Sequence, residues 1–162
     1  MRVISNPGPL VHLARAGHFE LLQLLFARVI IPPAVYDEVV VRGRGQAGST
    51  EISGVKWIER RSIRRAALAT ALNAFLGRGE AEAIAPASER RDSLLLIDEA
   101  QGRPVARQLG IPIRGTLGLL LEGHRAGHVS DPAGAIQRMR ERGTWIADDL
   151  VAAVLAAARK AR

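Results

Sequence analysis

Short apolar runs recur along the chain, and segments with helical periodicity separate them. The clearest run is Leu94-Leu95-Leu96-Ile97, which is typical of a parallel strand buried on both faces. The other candidate strands are Val3-Ile4-Ser5, Val29-Ile30-Ile31, Ile111-Pro112-Ile113 and the segment 55–58. Strands that alternate with helices predict an α/β fold, a three-layer α/β/α sandwich with a short-stranded, mainly parallel sheet.

Turn and capping residues predict where the helices begin and end. Gly17 ends a first helix that follows the turn Asn6-Pro7-Gly8-Pro9, and Pro33 starts another. Ser62 is a candidate N-cap for a helix through Ile63 to Leu76, and Gly79 is expected to break it. Further helices are expected over 19–25, 80–89, 98–109, 117–127, from 131 and over 148–158, with a flexible loop over 42–48.

Length and composition favour one soluble globular unit. The 162 residues are 48% hydrophobic, enough to bury a core. We expect an α/β domain over residues 1–128 and a helical extension over 129–162. The extension is expected to pack on the same domain or on a partner. No apolar run approaches the ~20 residues of a membrane span, so we expect a cytoplasmic protein with no membrane partner.

The chain is basic, with 23 Lys and Arg residues against 16 Asp and Glu. All the basic residues except Lys56 and Lys160 are arginine. One interpretation is a composition bias at solvated positions. The other is a phosphate-rich partner, because the guanidinium group binds phosphate oxygens in a bidentate manner. The candidate phosphate contacts are Arg42 and Arg44 in the loop, and Arg61 and Arg64 in the run 59–65.

The few acidic residues follow the predicted strands. Glu38 comes shortly after the second strand, and Asp98 and Glu99 follow Ile97 directly. Glu80 begins the helix that precedes that strand, and Asn6 follows the first strand. Ligands of open parallel sheets bind beyond the carboxyl ends of the strands, so these side chains could converge there.

A carboxylate cluster repels itself unless it is protonated or bridged by a cation. The chain has no cysteine and shows no histidine in an evident ligand position, so oxygen donors would favour Mg²⁺ or Mn²⁺. The alternative is that each acid is structural, with Asp98 as the N-cap of the helix that follows it. The absence of cysteine excludes disulfides, thiolate metal sites and cysteine nucleophiles.

Several motifs together carry a family resemblance. They are Val3-Ile4-Ser5-Asn6-Pro7-Gly8-Pro9-Leu10, Ile31-Pro32-Pro33-Ala34-Val35-Tyr36-Asp37-Glu38-Val39, Gly79-Glu80-Ala81-Glu82-Ala83-Ile84, Leu96-Ile97-Asp98-Glu99, Gly102-Arg103 and Gly115-Thr116-Leu117-Gly118. In this order the chain resembles PIN-domain proteins, in particular a prokaryotic branch of predicted nucleic-acid-binding proteins. That branch is similar to the VapC-type toxin ribonucleases.

The resemblance implies a metal-dependent ribonuclease fold with acids around one or two Mg²⁺ or Mn²⁺ ions. Glu38, Glu80 and Asp98 match acidic catalytic positions of the family, and Glu99 stands where a second aspartate is usual. At Asn6 the family pattern has aspartate. Asparagine offers a carbonyl oxygen but no charge, so the site is expected to bind Mg²⁺ more weakly.

Two further residues belong to the implied site. Arg103 matches a family motif and could steady a phosphate or pair with the acids, although a surface arginine is the alternative. Thr116 could point its hydroxyl into the cleft or cap the helix that begins beside it.

The leading functional hypothesis is an endoribonuclease that hydrolyses RNA. The resemblance to toxin ribonucleases adds the expectation of a toxin-type enzyme with an antitoxin partner and a homodimeric state. The second hypothesis is a catalytically impaired PIN-like module that binds RNA or protein, marked by Asn6. A third is a structural homodimer subunit whose acids are helix caps. The sequence leaves open whether the last helix packs on the core, on a second copy or on an antitoxin.

Overall fold

A parallel β-sheet lies at the centre of the molecule. The structure, a computed structural model, describes residues 1–62 and 64–160. The strands are β1 Arg2–Ser5, β2 Val29–Ile31, β3 Ile58–Arg60, β4 Ser93–Leu96 and β5 Ile113–Arg114. Their order is β3-β2-β1-β4-β5, and every neighbouring pair is parallel. The predicted parallel sheet is therefore confirmed.

Helices connect the strands and cover both faces of the sheet. They are α1 Pro7–Ala16, α2 Leu21–Phe26, α3 Pro33–Tyr36, α4 Ser49–Ser53, α5 Ala66–Leu72, α6 Arg78–Ala87, α7 Gly102–Gln108, α8 Thr116–Arg125, α9 Pro132–Glu141 and α10 Asp148–Arg159. A π-helical segment, Asp37–Arg42, continues directly from α3. In the described part of the chain, no helix is both long and apolar enough to cross a membrane.

Alternate strand residues pack into two separate hydrophobic cores. Val3, Leu94 and Leu96 point to one face, where they pack with α1, α2, α8 and α9. Ile4 and Leu95 point to the other, where they pack with α5, α6 and α7. Successive side chains of a strand point to opposite faces, so a helical layer on each side buries both sets. The predicted three-layer sandwich is confirmed.

The C-terminal helices join the first of these cores. Ile136 and Met139 of α9 are buried there, and Val151 and Val154 of α10 pack against it. α9 contacts α1, and α10 contacts α8. The division of the chain between residues 128 and 129 remains a prediction, and residues 161 and 162 lie outside the described part.

Some predicted boundaries are wrong. α1 begins at Pro7 and not after a turn, because proline suits the first helical turn, where its missing N–H is not needed. Gly79 was expected to end the helix that precedes it. Instead Gly79 lies inside α6, and the preceding helix, α5, ends at Leu72. β3 begins at Ile58, later than the segment 55–58 suggested, and β5 begins at Ile113.

Two helix starts also differ from the prediction. α5 begins at Ala66 with Arg65 as its N-cap residue, so Ser62 does not cap it. Ile63, which was assigned to that helix, lies outside the described residues. α7 begins only at Gly102, because the backbone after Asp98 turns before it becomes helical. α4 was not predicted.

The packing of α8 gives a stability prediction. Gly123 faces the core, where an added Cβ would lie 2.6 Å from Leu21 Cδ1 and 3.0 Å from Val129 Cγ2. Both neighbours are buried, so Gly123→Ala should lower the free energy of unfolding by about 1–3 kcal/mol through overpacking. Urea unfolding followed by circular dichroism measures the change.

Gly118→Ala, in the same helix, is the matched control. An added Cβ at position 118 comes no closer than 3.4 Å to the exposed side chain of Arg114. Here the better helix propensity of alanine should raise stability by about 0.5–1 kcal/mol. A stabilising effect of both substitutions would contradict the assigned packing of α8 against α2.

Candidate functional site

The pairing of β1 with β4 brings two predicted site segments together. Ser5 is in register with Leu96, and the Asn6 backbone N–H donates to the Leu96 carbonyl at 2.9 Å. Asn6 therefore lies beside the segment that leads through Ile97 to Asp98 and Glu99. Its side chain is fully buried.

Glu99 ties this edge of the sheet together. Its carboxylate accepts hydrogen bonds from Asn6 Nδ2 at 2.5 Å, from the Asp98 backbone N–H at 3.1 Å and from the Gly8 backbone N–H at 3.2 Å. A Cβ at Gly8 would lie 2.6 Å from Glu99 Oε1, so only glycine leaves room for this contact. The bond from Nδ2 also fixes the orientation of the Asn6 amide.

Asp98 is held by α1 and α8. Its carboxylate accepts from the backbone N–H of Thr116 at 2.7 Å and from Thr116 Oγ1 at 2.5 Å. His12 Nδ1 lies 2.7 Å from Asp98 Oδ2. Asp98 therefore binds the first residue of α8, and the alternative in which it caps the helix that follows it in sequence is wrong. The Thr116 hydroxyl is already engaged with Asp98, and the side chain is buried.

The pKa values of the two neighbouring carboxyl groups, Asp98 and Glu99, shift in opposite directions. Burial opposes ionisation of Asp98, but the hydrogen bonds from His12 and Thr116 outweigh it and lower its pKa. Burial raises the pKa of Glu99, and the charges of Asp98 and Glu80 add to the effect. An ionised Asp98 only accepts, so His12 Nδ1 carries the proton of their hydrogen bond.

Glu80 and Glu38 approach the same edge from α6 and the π-helical segment. Glu80 Oε2 accepts from the Gly77 backbone N–H at 3.1 Å, which completes the N-terminal cap of α6. Its other oxygen, Oε1, is buried and has no hydrogen-bond partner among the described residues. Glu38 Oε2 lies 2.9 Å from the point that a Cβ of Gly79 would occupy. Glu38 therefore lies beside Gly79, the residue that precedes Glu80.

The donor chemistry of this edge fits a hard divalent cation. Asn6 Oδ1, like Glu80 Oε1, is a buried oxygen atom that no donor in the described part of the chain reaches. Unpaired buried oxygens are costly, and a cation that prefers oxygen ligands would satisfy them. Within residues 1–62 and 64–160, however, no three His, Asp or Glu side chains are already arranged to hold a metal ion.

The comparisons with known proteins identify the fold family. A family model described as a PIN domain matches residues 2–160. The chain belongs to the PIN-domain family. The match confirms the resemblance seen in the sequence, although the similarity to VapC-type toxins in particular remains a prediction. No curated protein and no solved structure matches the chain.

A cleft opens beside two of the acids of this PIN domain, Asp98 and Glu99. It has a volume of about 890 Å³, and Asp98, Glu99 and Thr116 line one part of it. Arg103 lines it too, and its guanidinium donates to the Ile97 carbonyl at 3.2 Å. Among the described residues Arg103 makes no ion pair with the acids, which was one of its predicted roles.

The other predicted phosphate contacts lie away from this cleft. Arg42 and Arg44 are exposed around the turn that precedes α4, and Arg64 is exposed before α5. Arg61 follows the edge strand β3 and pairs with Glu59. None of these four is among the described residues that line the cleft. Their role in binding nucleic acid remains a prediction.

Sequence reasoning missed His12. The sequence shows no histidine in an evident ligand position, but α1 carries His12 to the Asp98 carboxylate as a hydrogen-bond partner. A single histidine on an amphipathic helix gives no signal by itself. Only the position of α1 over the ends of β1 and β4 reveals it.

The lowered pKa of Asp98 predicts a pH-dependent effect of Thr116→Val. A carboxyl group whose pKa is lowered by folding stabilises the fold above its unfolded pKa, and this stabilisation is lost as the pH falls. Removing the hydroxyl should therefore lower the free energy of unfolding by about 2 kcal/mol at pH 7. The difference should shrink towards about 1 kcal/mol as the pH falls below about 4 and through the lowered pKa of Asp98, where this carboxyl group becomes protonated in the folded protein.

Urea unfolding at several pH values measures this change. Thr70→Val, at an exposed position of α5, is the control and should show a small effect that does not vary with pH. A loss of stability for Thr116→Val that is equal at pH 7 and below pH 4 would contradict the role of the hydroxyl in holding Asp98 ionised.

Proposed function

We propose that this PIN domain is a metal-dependent endoribonuclease that hydrolyses RNA phosphodiesters. The observation that carries the proposal is a pair of buried oxygens, Asn6 Oδ1 and Glu80 Oε1, at the edge where Asp98 and Glu99 converge. Neither oxygen has a hydrogen-bond partner within residues 1–62 and 64–160. Membership of the PIN-domain family supports the proposal, because this fold is a nuclease fold that acts on nucleic acids. PIN domains generally use divalent metals.

Asn6, Glu38, Glu80, Asp98 and Glu99 would hold a Mg²⁺ or Mn²⁺ ion. When bound, such an ion lowers the pKa of water for attack on phosphorus and neutralises charge on the phosphate. Asn6 supplies a carbonyl oxygen where the family pattern has a carboxylate. The site therefore has one formal negative charge fewer, and we expect weaker binding of the ion.

The residues around these donors keep them in place. His12 and Thr116 hold Asp98 as a carboxylate at neutral pH. Glu99 accepts from Asn6 Nδ2, so the amide oxygen is left as the free acceptor. Arg103, anchored on the Ile97 carbonyl, is placed in the cleft where it can bind a phosphate oxygen.

Asn6 also favours a second candidate function. The site has a neutral amide in place of a carboxylate, and among the described residues no three acids are already arranged to hold a metal, so the domain could bind RNA or a protein partner without cleaving it. A toxin role, an antitoxin partner and a homodimer belong to the proposal only as predictions of the family resemblance.

Cleavage of labelled single-stranded RNA with Mn²⁺ tests the proposed activity. Asp98→Asn should reduce the rate by at least about a hundredfold, since losing even an outer partner of a metal ligand costs about 10–100-fold. It should also reduce the Mn²⁺-induced rise in melting temperature, which is a readout independent of turnover. Asp92→Asn, at an exposed position paired with Arg90, is the control and should change neither.

Equal cleavage by the wild type and Asp98→Asn would mean a contaminating nuclease and would overturn the proposal. Mn²⁺ stabilisation and RNA binding without cleavage in any variant would favour the second candidate function.

Asn6→Asp tests the effect of the missing charge. Without metal, the new carboxylate would face Glu99 in a buried position and would lose the bond from Nδ2. We expect the free energy of unfolding to fall by about 2 kcal/mol. With Mn²⁺, the rise in melting temperature should exceed that of the wild type, because the added charge binds the ion.

Thermal unfolding with and without Mn²⁺ measures both effects, and RNA cleavage is followed in parallel. Asn73→Asp, at the exposed C-terminal end of α5, is the matched control because it adds the same charge at the surface. If Asn6→Asp shows no larger Mn²⁺ response than Asn73→Asp, Asn6 does not belong to a metal site.

A further inference from the structure

Trp145 is an exposed aromatic residue in a firmly held segment. Its side chain is 87% exposed, although its neighbours Thr144 and Ile146 are buried. The segment lies between α9 and α10. A tryptophan ring left this far in water loses the benefit of burying its large apolar surface, so its position calls for a physical reason.

The backbone around Trp145 is fixed by hydrogen bonds. The Thr144 backbone N–H donates to the Met139 carbonyl at 2.9 Å, and Arg15 donates to the Thr144 hydroxyl at 3.1 Å. Arg140 donates to the Ile146 carbonyl at 2.5 Å. The Trp145 ring is therefore exposed to solvent on a backbone that hydrogen bonds hold in place, and its exposure does not result from local flexibility.

The Trp145 ring lies at the cleft beside the candidate active site. Trp145 lines the 890 Å³ cleft together with Asp98 and Glu99. Arg103 and Arg107 of α7 and Arg114 of β5 line it as well. The cleft thus combines carboxylates, three arginines and one exposed aromatic ring.

This combination matches the chemistry of a single polynucleotide strand. Guanidinium groups bind its phosphates, and an exposed indole stacks on the face of a base. Only an unpaired base has a free face, because duplex bases are stacked on each other. A partner helix would need a continuous apolar stripe, and among the described residues lining the cleft only Trp145 and Leu150 are large exposed apolar side chains.

The geometry points to Trp145 as a stacking platform for an unpaired base of a single-stranded polynucleotide whose phosphates bind Arg103, Arg107 and Arg114. The inference assigns a base contact to the candidate active site and so rests on the proposed function. It adds a binding residue outside the family motifs, supplied by the segment that joins the last two helices.

Tryptophan fluorescence tests the stacking directly. The chain has two tryptophans, and Trp57 packs on Phe19 with ring centroids 5.3 Å apart. Trp57→Phe leaves Trp145 as the only reporter. Titration with a short single-stranded RNA, in EDTA to prevent cleavage, should quench its emission. An abasic strand of the same length, and a blunt duplex of the same sequence, should quench it little.

Binding of a labelled RNA separates the base contact from the phosphate contacts. Trp145→Ala should weaken binding roughly 5- to 100-fold, and Trp145→Phe should retain most of the affinity. Binding of the abasic strand should not change. Arg107→Gln should instead reduce the salt dependence of binding for every strand. Phe75→Ala removes another exposed aromatic ring, away from the cleft, and should have no effect.

Several outcomes decide the inference independently of cleavage. Quenching by RNA and by the same sequence in DNA supports a polynucleotide site, and stronger quenching by RNA supports RNA as the substrate. Equal quenching by the abasic strand, or wild-type RNA affinity in Trp145→Ala, overturns the inference. It is also overturned if no oligonucleotide quenches Trp145. Dissociation of a dimer by Trp145→Ala in light scattering would then mean that the ring covers a second copy. Absence of cleavage with intact quenching refutes only the nuclease.

Discussion

Parallel pairing of β1 with β4, with Ser5 opposite Leu96, is the contact on which the rest of the site depends. It places the residue after β1 next to the segment after β4, so that Asn6 and Glu99 meet over a single hydrogen bond. Both strands are buried on both faces, and slipping their register by one residue would exchange the two hydrophobic cores. The packing of the sandwich therefore also fixes the geometry of the polar edge.

That edge keeps charge on partly buried side chains beside the cleft. Asp98 remains ionised because His12 and Thr116 donate to it, whereas Glu99 is shifted toward its protonated form by burial and by neighbouring carboxylates. Each group accepts three hydrogen bonds, so the difference in pKa arises from the type of donor and from the negative charges of Asp98 and Glu80 beside Glu99. A proton on Glu99 or a bound cation would neutralise the remaining negative charge of this site.

The sequence predicts the layers of this fold well, because runs such as Leu94–Ile97 and the helical segments between them carry local periodicity. The acids at the strand ends could also be predicted to gather, since parallel topology brings those ends together. Local signals were insufficient where tertiary contacts decide the outcome. Asp98 binds the start of α8, 18 residues further on, and not its own helix. Neither His12 nor Trp145 has a sequence neighbour that reveals its role.

The glycines of the family motifs explain why those motifs combine small residues with acids. A Cβ at Gly8 would lie 2.6 Å from Glu99 Oε1, and one at Gly79 would lie 2.9 Å from Glu38 Oε2. At Gly102 and Gly115 the nearest carboxylate oxygens would be those of Glu80, at 2.7 Å, and Asp98, at 3.0 Å. Each acid thus approaches bare backbone on a different element. A side chain at any of these positions would displace a carboxylate. The positions of the acids therefore depend on the glycines that leave room for them.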